Sequence, residues 1–188
     1  PVKGDASYWT LTVRDRTTEN AVWSYETPIT SVPEIEGYLA FYWNRMDAWY
    51  EEDEEIFLHP RDPYKRVDVL KSSRHVRVIL SGETIAESER PHLLFETGLP
   101  PRYYLPEEDV RMDLLESSER TSICPYKGNA VYWSARMGDD FFEDVVWSYS
   151  EPIAECPKIK GLLAFYPERV DDIMVDGVPA EKKAPKEG

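Results

Sequence analysis

The sequence predicts a mainly β protein built from small antiparallel domains, and three observations favour this fold class. Its apolar runs are short and are bounded by Gly, Pro and Asp-Gly pairs, as is typical of strands separated by tight turns. Several runs come in pairs around a Gly-containing turn, which is the pattern of β-hairpins. A long segment also occurs twice with its turn residues in step, so that the same fold is predicted twice.

The repeat is found by sliding the chain along itself by 124 residues. Residues 1–47 then align with residues 125–171 without a gap, and 23 of the 47 pairs are identical. The segments VWSY and LAFY both recur. This degree of identity indicates an internal duplication, which specifies a repeated fold but no chemistry.

The second copy has an upstream half, roughly 67–124, that the first copy lacks. We therefore expect an incomplete first copy at 1–57, a linker at 58–66, a complete second copy at 67–180 and a disordered tail at 181–188. The first copy should expose the surface that its missing half would cover. Either a lost N-terminal fragment of roughly 60 residues or another subunit of a homo-oligomer is expected to complete it.

The elements follow from local patterns. Each segment that ends in WSY reads as a hairpin, and the Pro-bounded segment after it reads as one short helix, with Pro33 and Pro157 suited to the first turn. The upstream half and the C-terminal region add further strands and turns. These are the hairpin HVRVILSGETIAES, the strands HLLFET and RYYLP, a strand with a polar turn in VRMDLLESSERTSICPYKG, and the hairpin IMVDGVPA.

Composition narrows the classes of partner and compartment. Hydrophobic residues make up 41% of the chain, enough for a packed core, and the net charge is -14. A strongly acidic chain without clustered Lys and Arg is not expected to bind nucleic acid or an anionic membrane surface. No apolar run is long enough to span a membrane. Two cysteines are too few for a disulfide framework, so we expect a cytoplasmic protein.

The turn CPYKG at 124–128 is the first candidate site. Lys127 could lower the pKa of the Cys124 thiol and make it a nucleophile, or could bind an anionic ligand directly. The structural alternative is a β-turn with Gly128 at positive φ and a solvated lysine. We expect no metal site, because the chain has no Cys-x-x-Cys pair and its three histidines lack the spacing of ligands.

Aromatic side chains form the second candidate site, as a cage for a flat or cationic ligand or as core packing. Arg102 could pair with a carboxylate or phosphate, although a surface ion pair is the commoner role. Glu96 is either a buried carboxylate with a raised pKa or, as we prefer, a glutamate at a strand edge. The ligand-binding candidates are Cys124, Lys127, Arg102, Tyr104, Trp133, Trp147 and Tyr149, with Lys3, Trp9, Trp23 and Tyr25 as first-copy equivalents.

The motifs GETIAES, RYYLPEEDV, CPYKGNAVYW, EDVVWSY and IKGLLAFY resemble the bacterial domain-of-unknown-function family 427, which carries a nucleotidyltransferase-like label. The resemblance covers roughly 67–178 as a full domain and 1–57 as half of another. It implies small β-tent-like domains in tandem. The chain lacks the cysteine pairs of zinc-bearing relatives, and it shows no phosphate-binding loop or paired aspartates for nucleotidyl transfer.

The combined hypothesis is a small-molecule-binding β domain without a cofactor, whose pocket is formed by the aromatics and the CPYKG turn. An enzyme acting through Lys127 or Cys124 is an alternative. An assembly module, with its interaction surface on 1–57, is another.

Overall fold

A computed structural model of the protein describes residues 3–31 and 34–181. It confirms a mainly β fold of several antiparallel sheets, none of which closes into a barrel. The chain divides into two compact units, residues 1–60 and 61–188, and the division falls inside the segment expected to be a linker. Each unit is described by itself below.

The first unit contains one three-stranded sheet, in the order β1-β2-β3, and one two-residue hairpin, β4-β5. The hairpin β1-β2 is the predicted one, and the acidic run at 51–55 forms the small hairpin. The strands are β1 (Ser7–Val13), β2 (Arg16–Ser24), β3 (Ala40–Phe41), β4 (Tyr50–Glu51) and β5 (Glu54–Glu55).

The second unit contains a seven-stranded and a four-stranded sheet. The predicted hairpins and the strands HLLFET and RYYLP are present, whereas the segment VRMDLLESSERTSIC begins with a 3-10 turn, Met112–Leu114, and its polar stretch lies within a strand. The strands of the second unit are β6 (Val67–Lys71), β7 (Val76–Leu80), β8 (Glu83–Ser88), β9 (His92–Glu96), β10 (Arg102–Leu105), β11 (Leu115–Cys124), β12 (Gly128–Met137), β13 (Asp140–Ser148), β14 (Leu163–Phe165), β15 (Asp172–Val175) and β16 (Val178–Pro179). The larger sheet has the order β11-β12-β13-β14-β10-β9-β6, and the smaller has the order β16-β15-β7-β8.

Two cores lie on opposite faces of the seven-stranded sheet. Successive side chains of a strand point to opposite faces, so Leu105 joins one core and its neighbour Tyr104 joins the other. The first core packs this sheet against the four-stranded sheet. The second, which we call the aromatic core, is covered by the loop that holds Cys156 and Ile159. The aromatic core is the one that borders the CPYKG turn.

The repeat extends to the strand register. Tyr8 pairs with Trp23 in β1-β2, and the residues 124 positions later, Tyr132 and Trp147, pair in β12-β13. Both hairpins shift register at the corresponding place, after Trp9 and after Trp133. The two copies therefore share one backbone design.

The prediction of one short helix after each WSY segment is only half right. In the second copy a single 3-10 turn, Pro157–Ile159, occupies this place, and Ile159 is fully buried beneath it. In the first copy Pro33 lies outside the described residues, and residues 34–42 contain no helix. The nearest short helix there is Trp43–Arg45. Short helices depend on tertiary packing, and Ile35 is only half-buried.

Two further 3-10 turns, Glu107–Asp109 and Met112–Leu114, lie between β10 and β11. Among residues 3–31 and 34–181, no helix is long and apolar enough to cross a membrane. The tail expected to be disordered lies outside the described residues, except for Glu181.

Candidate functional site

The CPYKG turn joins β11 to β12 and is fixed to a neighbouring loop. Cys124 pairs with Gly128 across the turn, and the Lys127 N–H donates to the Cys124 carbonyl at 3.2 Å. The Ile153 N–H donates in turn to the Lys127 carbonyl at 3.1 Å. In the first copy the Ile29 N–H donates to the Lys3 carbonyl at the same distance. The backbone of this lysine is thus held in place in both copies.

Gly128 permits this close approach. Its φ is +103°, and an added Cβ would lie 3.2 Å from the Glu151 carbonyl oxygen. We expect Gly128→Ala to lower the free energy of unfolding by at least about 2 kcal/mol, because the side chain meets both backbone strain and a fixed carbonyl. Urea unfolding followed by the NMR signals of residues 61–181 measures this loss.

Gly138 provides the matched control for that substitution. Its φ is +62°, and nothing lies within 4 Å of an added Cβ. Gly138→Ala should therefore cost only about 1 kcal/mol. Equal losses at both glycines would contradict the importance of the close approach at Gly128.

The Lys127 side chain is one arm of a charged cluster that we call the lysine–glutamate centre, formed by Lys65, Glu96 and Lys127. The Lys127 ammonium lies 2.6 Å from Glu96 Oε2, and the Lys65 ammonium lies 2.8 Å from Glu96 Oε1. The exposed fractions of the side chains are 8% for Glu96, 12% for Lys127 and 31% for Lys65. One nearly buried carboxylate is thus shared by two ammonium groups.

Electrostatics keep the centre ionised. Burial alone raises the pKa of Glu96, but the hydrogen bonds and charges of Lys127 and Lys65 outweigh burial and hold that pKa below its ordinary value. The hydrogen bond to Glu96 raises the pKa of Lys65. The centre therefore contains one negative and two positive charges at neutral pH.

This geometry corrects the preferred interpretation of Glu96 and half of the alternative. The residue ends β9, but its side chain is nearly buried, as the alternative expected, and its pKa is lowered rather than raised. The reason is that two cations converge on it from segments 31 positions away in either direction along the chain.

A groove of about 250 Å³ opens beside the lysine–glutamate centre. The Lys65 ammonium lies 5.1 Å from the centre of the Tyr126 ring, and the Tyr126 hydroxyl accepts a 2.8 Å hydrogen bond from the Asp62 N–H. At the rim, Arg61 pairs with Glu155 at 2.5 Å. The groove is lined by Arg61, Asp62, Pro63, Lys65, Val67, Tyr126, Glu155 and Cys156. It combines a cation, a flat ring and polar edges.

The predicted aromatic residues form the interior beside this turn. The Trp147 indole donates to the Tyr104 hydroxyl at 3.1 Å, and the two rings meet edge to face. Tyr149 belongs to the same core, and burial raises the pKa of Tyr104 and of Tyr149. None of the three is more than 7% exposed. These rings therefore fill space against each other, as aromatic core residues do.

Arg102 and Trp133 occupy different positions relative to that core. The Arg102 guanidinium lies 5.9 Å from the Trp147 ring and 3.6 Å from a Glu168 carboxylate oxygen, so it combines a ring contact with an ion pair. Trp133 points to the other face of the seven-stranded sheet and packs against the first core. The structure does not bring Trp133 together with the other candidates.

The two cysteines also differ in environment. Cys124 is partly buried beside the aromatic core, whereas Cys156 is buried, and burial raises the pKa of the Cys156 thiol. Both are free thiols. Among the described residues, no group of three His, Cys, Asp or Glu side chains could hold a metal ion.

In the first copy, the equivalent residues are in a more open setting. Trp23 and Tyr25 meet edge to face at 5.5 Å, but Trp9 is 37% exposed and Lys3 is exposed. Glu96 and Lys65 lie outside the duplicated segment. Within residues 3–31 and 34–181, the lysine–glutamate centre is found in the second unit.

Sequence reasoning missed Lys65 and a second polar cluster near Tyr132. Arg120 pairs with buried Asp144 at 3.2 Å and lies 4.5 Å from the Tyr132 ring. Burial is the largest cause and a hydrogen bond with Tyr132 the second, and together they raise the pKa of Tyr166 to about 12. Neither Lys65 nor Arg120 lies in a recognisable motif, so no local signal could have identified them.

Another cleft, of about 610 Å³, lies elsewhere in the second unit. Its lining includes Glu107, Glu108 and Gly161. None of the predicted site residues lines it. This cleft is therefore separate from the groove beside the lysine–glutamate centre.

Comparison with known proteins agrees with the sequence motifs. The family described as Domain of unknown function (DUF427) matches residues 1–52 and 68–176. A search of the curated proteins found no match. The two matched ranges together cover most of the chain, and they coincide with the two copies of the repeat. The chain therefore belongs to the DUF427 family.

Proposed function

We propose that the second unit binds a small molecule with a carboxylate or phosphate group, in the groove beside the lysine–glutamate centre. The observation that supports this is the sharing of Glu96 by two ammonium groups. Lys65 is the more exposed of the two, and an anionic group beside it would add to the attraction that Glu96 supplies within hydrogen-bond distance.

The two lysines have different roles in this proposal. Lys127 is only 12% exposed and holds Glu96 in place. Lys65 is 31% exposed, lines the groove and has ammonium donors beyond the one that it directs at Glu96. Lys65 therefore contacts the anion, and Lys127 with Glu96 forms the fixed support behind it.

Tyr126 defines the second half of the ligand. Its ring lines the groove, and its hydroxyl is held by the Asp62 backbone. A flat or apolar group next to the anion would pack on this ring, as ligand sites commonly combine one polar anchor with an apolar wall. The buried rings of Tyr104, Trp147 and Tyr149 support the groove from the interior.

NMR titration with inorganic phosphate and with benzoate tests this assignment. We expect saturable shifts at Lys65, Tyr126 and Lys127, with dissociation constants of about 1 mM, as is typical of fragments. Benzoate, which has a ring as well as a carboxylate, should bind more tightly than acetate. Tetramethylammonium should produce no saturable shift at these residues.

Lys65→Gln should weaken benzoate binding by at least about fivefold, since it removes the accessible charge. Lys160→Gln is the matched control, because Lys160 pairs at 2.8 Å with a well exposed glutamate, Glu151, outside the groove. Equal effects of the two substitutions, or binding of tetramethylammonium at Tyr126, would overturn the proposal.

A further inference from the structure

The first unit exposes large apolar side chains whose counterparts in the second unit are buried. The positions compared are 124 residues apart in the repeat, so that sequence and local backbone are matched. The exposed fractions are 53% for Tyr8 against 4% for Tyr132, 59% for Leu39 against 2% for Leu163, and 43% for Phe41 against 2% for Phe165.

The difference arises from the strands that surround β3 and β14. In the second unit β14 pairs with β13 on one side and with β10 on the other, where Leu163 lies opposite Leu105. In the first unit β3 pairs with β2 and ends the sheet. The register of β2 with β3 matches that of β13 with β14. β3 therefore presents an open, apolar edge for strand addition.

The second unit also shows which polar groups meet that edge. Trp147 donates to the Tyr104 hydroxyl, and Lys127 pairs with Glu96. The two acceptors, Glu96 in β9 and Tyr104 in β10, lie within residues 67–124, outside the duplicated segment. Their donors correspond to Trp23 and Lys3 in the first copy.

We propose that this surface of the first unit, formed by the edge of β3 with Leu39 and Phe41 on one face of the sheet and Tyr8 on the other, binds a β half-domain with the chemistry of residues 67–124. The occupant adds a strand like β10 to the edge of β3. It supplies a carboxylate to Lys3, as Glu96 does to Lys127, and a phenol to Trp23, as Tyr104 does to Trp147.

Charge disfavours a second copy of the same face as the occupant. Residues 1–57 carry 4 basic and 12 acidic side chains, a net charge of -8. Residues 67–124 carry 7 basic and 11 acidic side chains, a net charge of -4. Two first copies would bring together two segments of charge -8, whereas a half-domain like residues 67–124, of charge -4, meets less repulsion.

A fusion protein tests the proposal on the full chain. A second copy of residues 61–124 is joined directly ahead of Pro1, which recreates the Cys-Pro junction found at 124–125.

Hydrogen exchange is then followed at Phe41. The Tyr42 N–H donates to the Ala21 carbonyl of the first copy, and amides alternate along a strand, so the Phe41 amide faces the open edge of β3. We expect exchange at this amide to slow by about tenfold or more relative to the unfused chain, because an added strand protects an open edge.

Substitutions on this surface distinguish binding of the added half-domain from its covalent attachment alone. Leu39→Asp should be tolerated in the unfused chain, where Leu39 is largely exposed, and should abolish the protection in the fusion protein. Tyr50→Asp is the matched control, since Tyr50 is 60% exposed but lies beyond the duplicated segment. It should leave the protection intact.

Three outcomes would overturn the proposal. One is unchanged exchange at Phe41 in the fusion protein. Another is protection that survives Leu39→Asp. The third is a sedimenting dimer of the unfused chain in which the Phe41 amide is already protected, which would assign the surface to a second copy.

Discussion

Replacing Glu96 with Gln is expected to lower the free energy of unfolding of the second unit by about 3 kcal/mol. The substitution keeps the size and one acceptor oxygen but removes the negative charge. It leaves the Lys127 ammonium, which is 12% exposed, without a counter-charge. Removing one partner of a nearly buried ion pair lowers the free energy of unfolding far more than removing a surface pair does. Urea unfolding followed by the NMR signals of residues 61–181 measures the loss.

The same substitution should remove part of the acid sensitivity of the second unit. The pKa of Glu96 is lower in the folded than in the unfolded chain, where the ordinary value is about 4.5. Its stabilisation is therefore complete above that value, and it declines as the pH falls from about 4.5 through the lower folded pKa. Glu96→Gln has no such dependence and should show a shallower loss of stability on acidification.

Glu116→Gln is the control for both measurements. Glu116 pairs with Arg136 at 2.6 Å, and that pair lowers its pKa, but both side chains are 51% exposed. Solvent screens such a pair, so we expect no measurable change in stability at neutral pH. A Glu96→Gln protein as stable as the Glu116→Gln protein would show that the lysine–glutamate centre is not a buried charge cluster.

Leu163→Ala is expected to lower the free energy of unfolding of the second unit by about 2–5 kcal/mol, because it leaves a cavity in the first core, where Leu163 is 2% exposed. The corresponding change in the first copy, Leu39→Ala, should alter the stability of the first unit by no more than about 0.5 kcal/mol. Leu39 is 59% exposed and leaves no cavity.

These two leucines occupy the same place in the repeat, so the comparison isolates the effect of the covering strands. Both effects can be measured by hydrogen exchange, at residues 61–181 for Leu163→Ala and at residues 3–31 and 34–60 for Leu39→Ala. Comparable losses in the two units would contradict the exposed face of the first unit. In the fusion protein with a second copy of residues 61–124, Leu39→Ala should become as costly as Leu163→Ala.

Hairpins were predictable because they depend on neighbours in the chain. The turns at Gly138 and Gly177 and the alternation along β12 and β13 specify those strands locally. The same alternation places the neighbours Tyr132 and Trp133 in different cores, on opposite sides of the sheet. The short helix predicted for the first copy is absent from residues 34–42, because the stability of a short helix depends on packing and not on a proline at its start alone.

The charged site was only partly predictable. The turn around Lys127 could be recognised from Cys, Pro and Gly in a short span of sequence. However, Glu96, the partner of Lys127, lies 31 residues upstream, and Lys65 lies another 31 residues upstream of Glu96. No local pattern reports which lysine will reach a buried carboxylate. The direction of the Glu96 pKa shift likewise depends on the balance between burial and two converging ammonium groups, which only the folded arrangement supplies.

By itself the sequence determined a duplicated, mainly β chain with membership of the DUF427 family, because hydrophobic periodicity, turn residues and repeated segments are properties of the chain order. Tertiary structure decided which faces are covered and which charges meet. Identical residues 124 positions apart are exposed in one unit and buried in the other, because burial depends on the strands packed against them and not on the residues themselves.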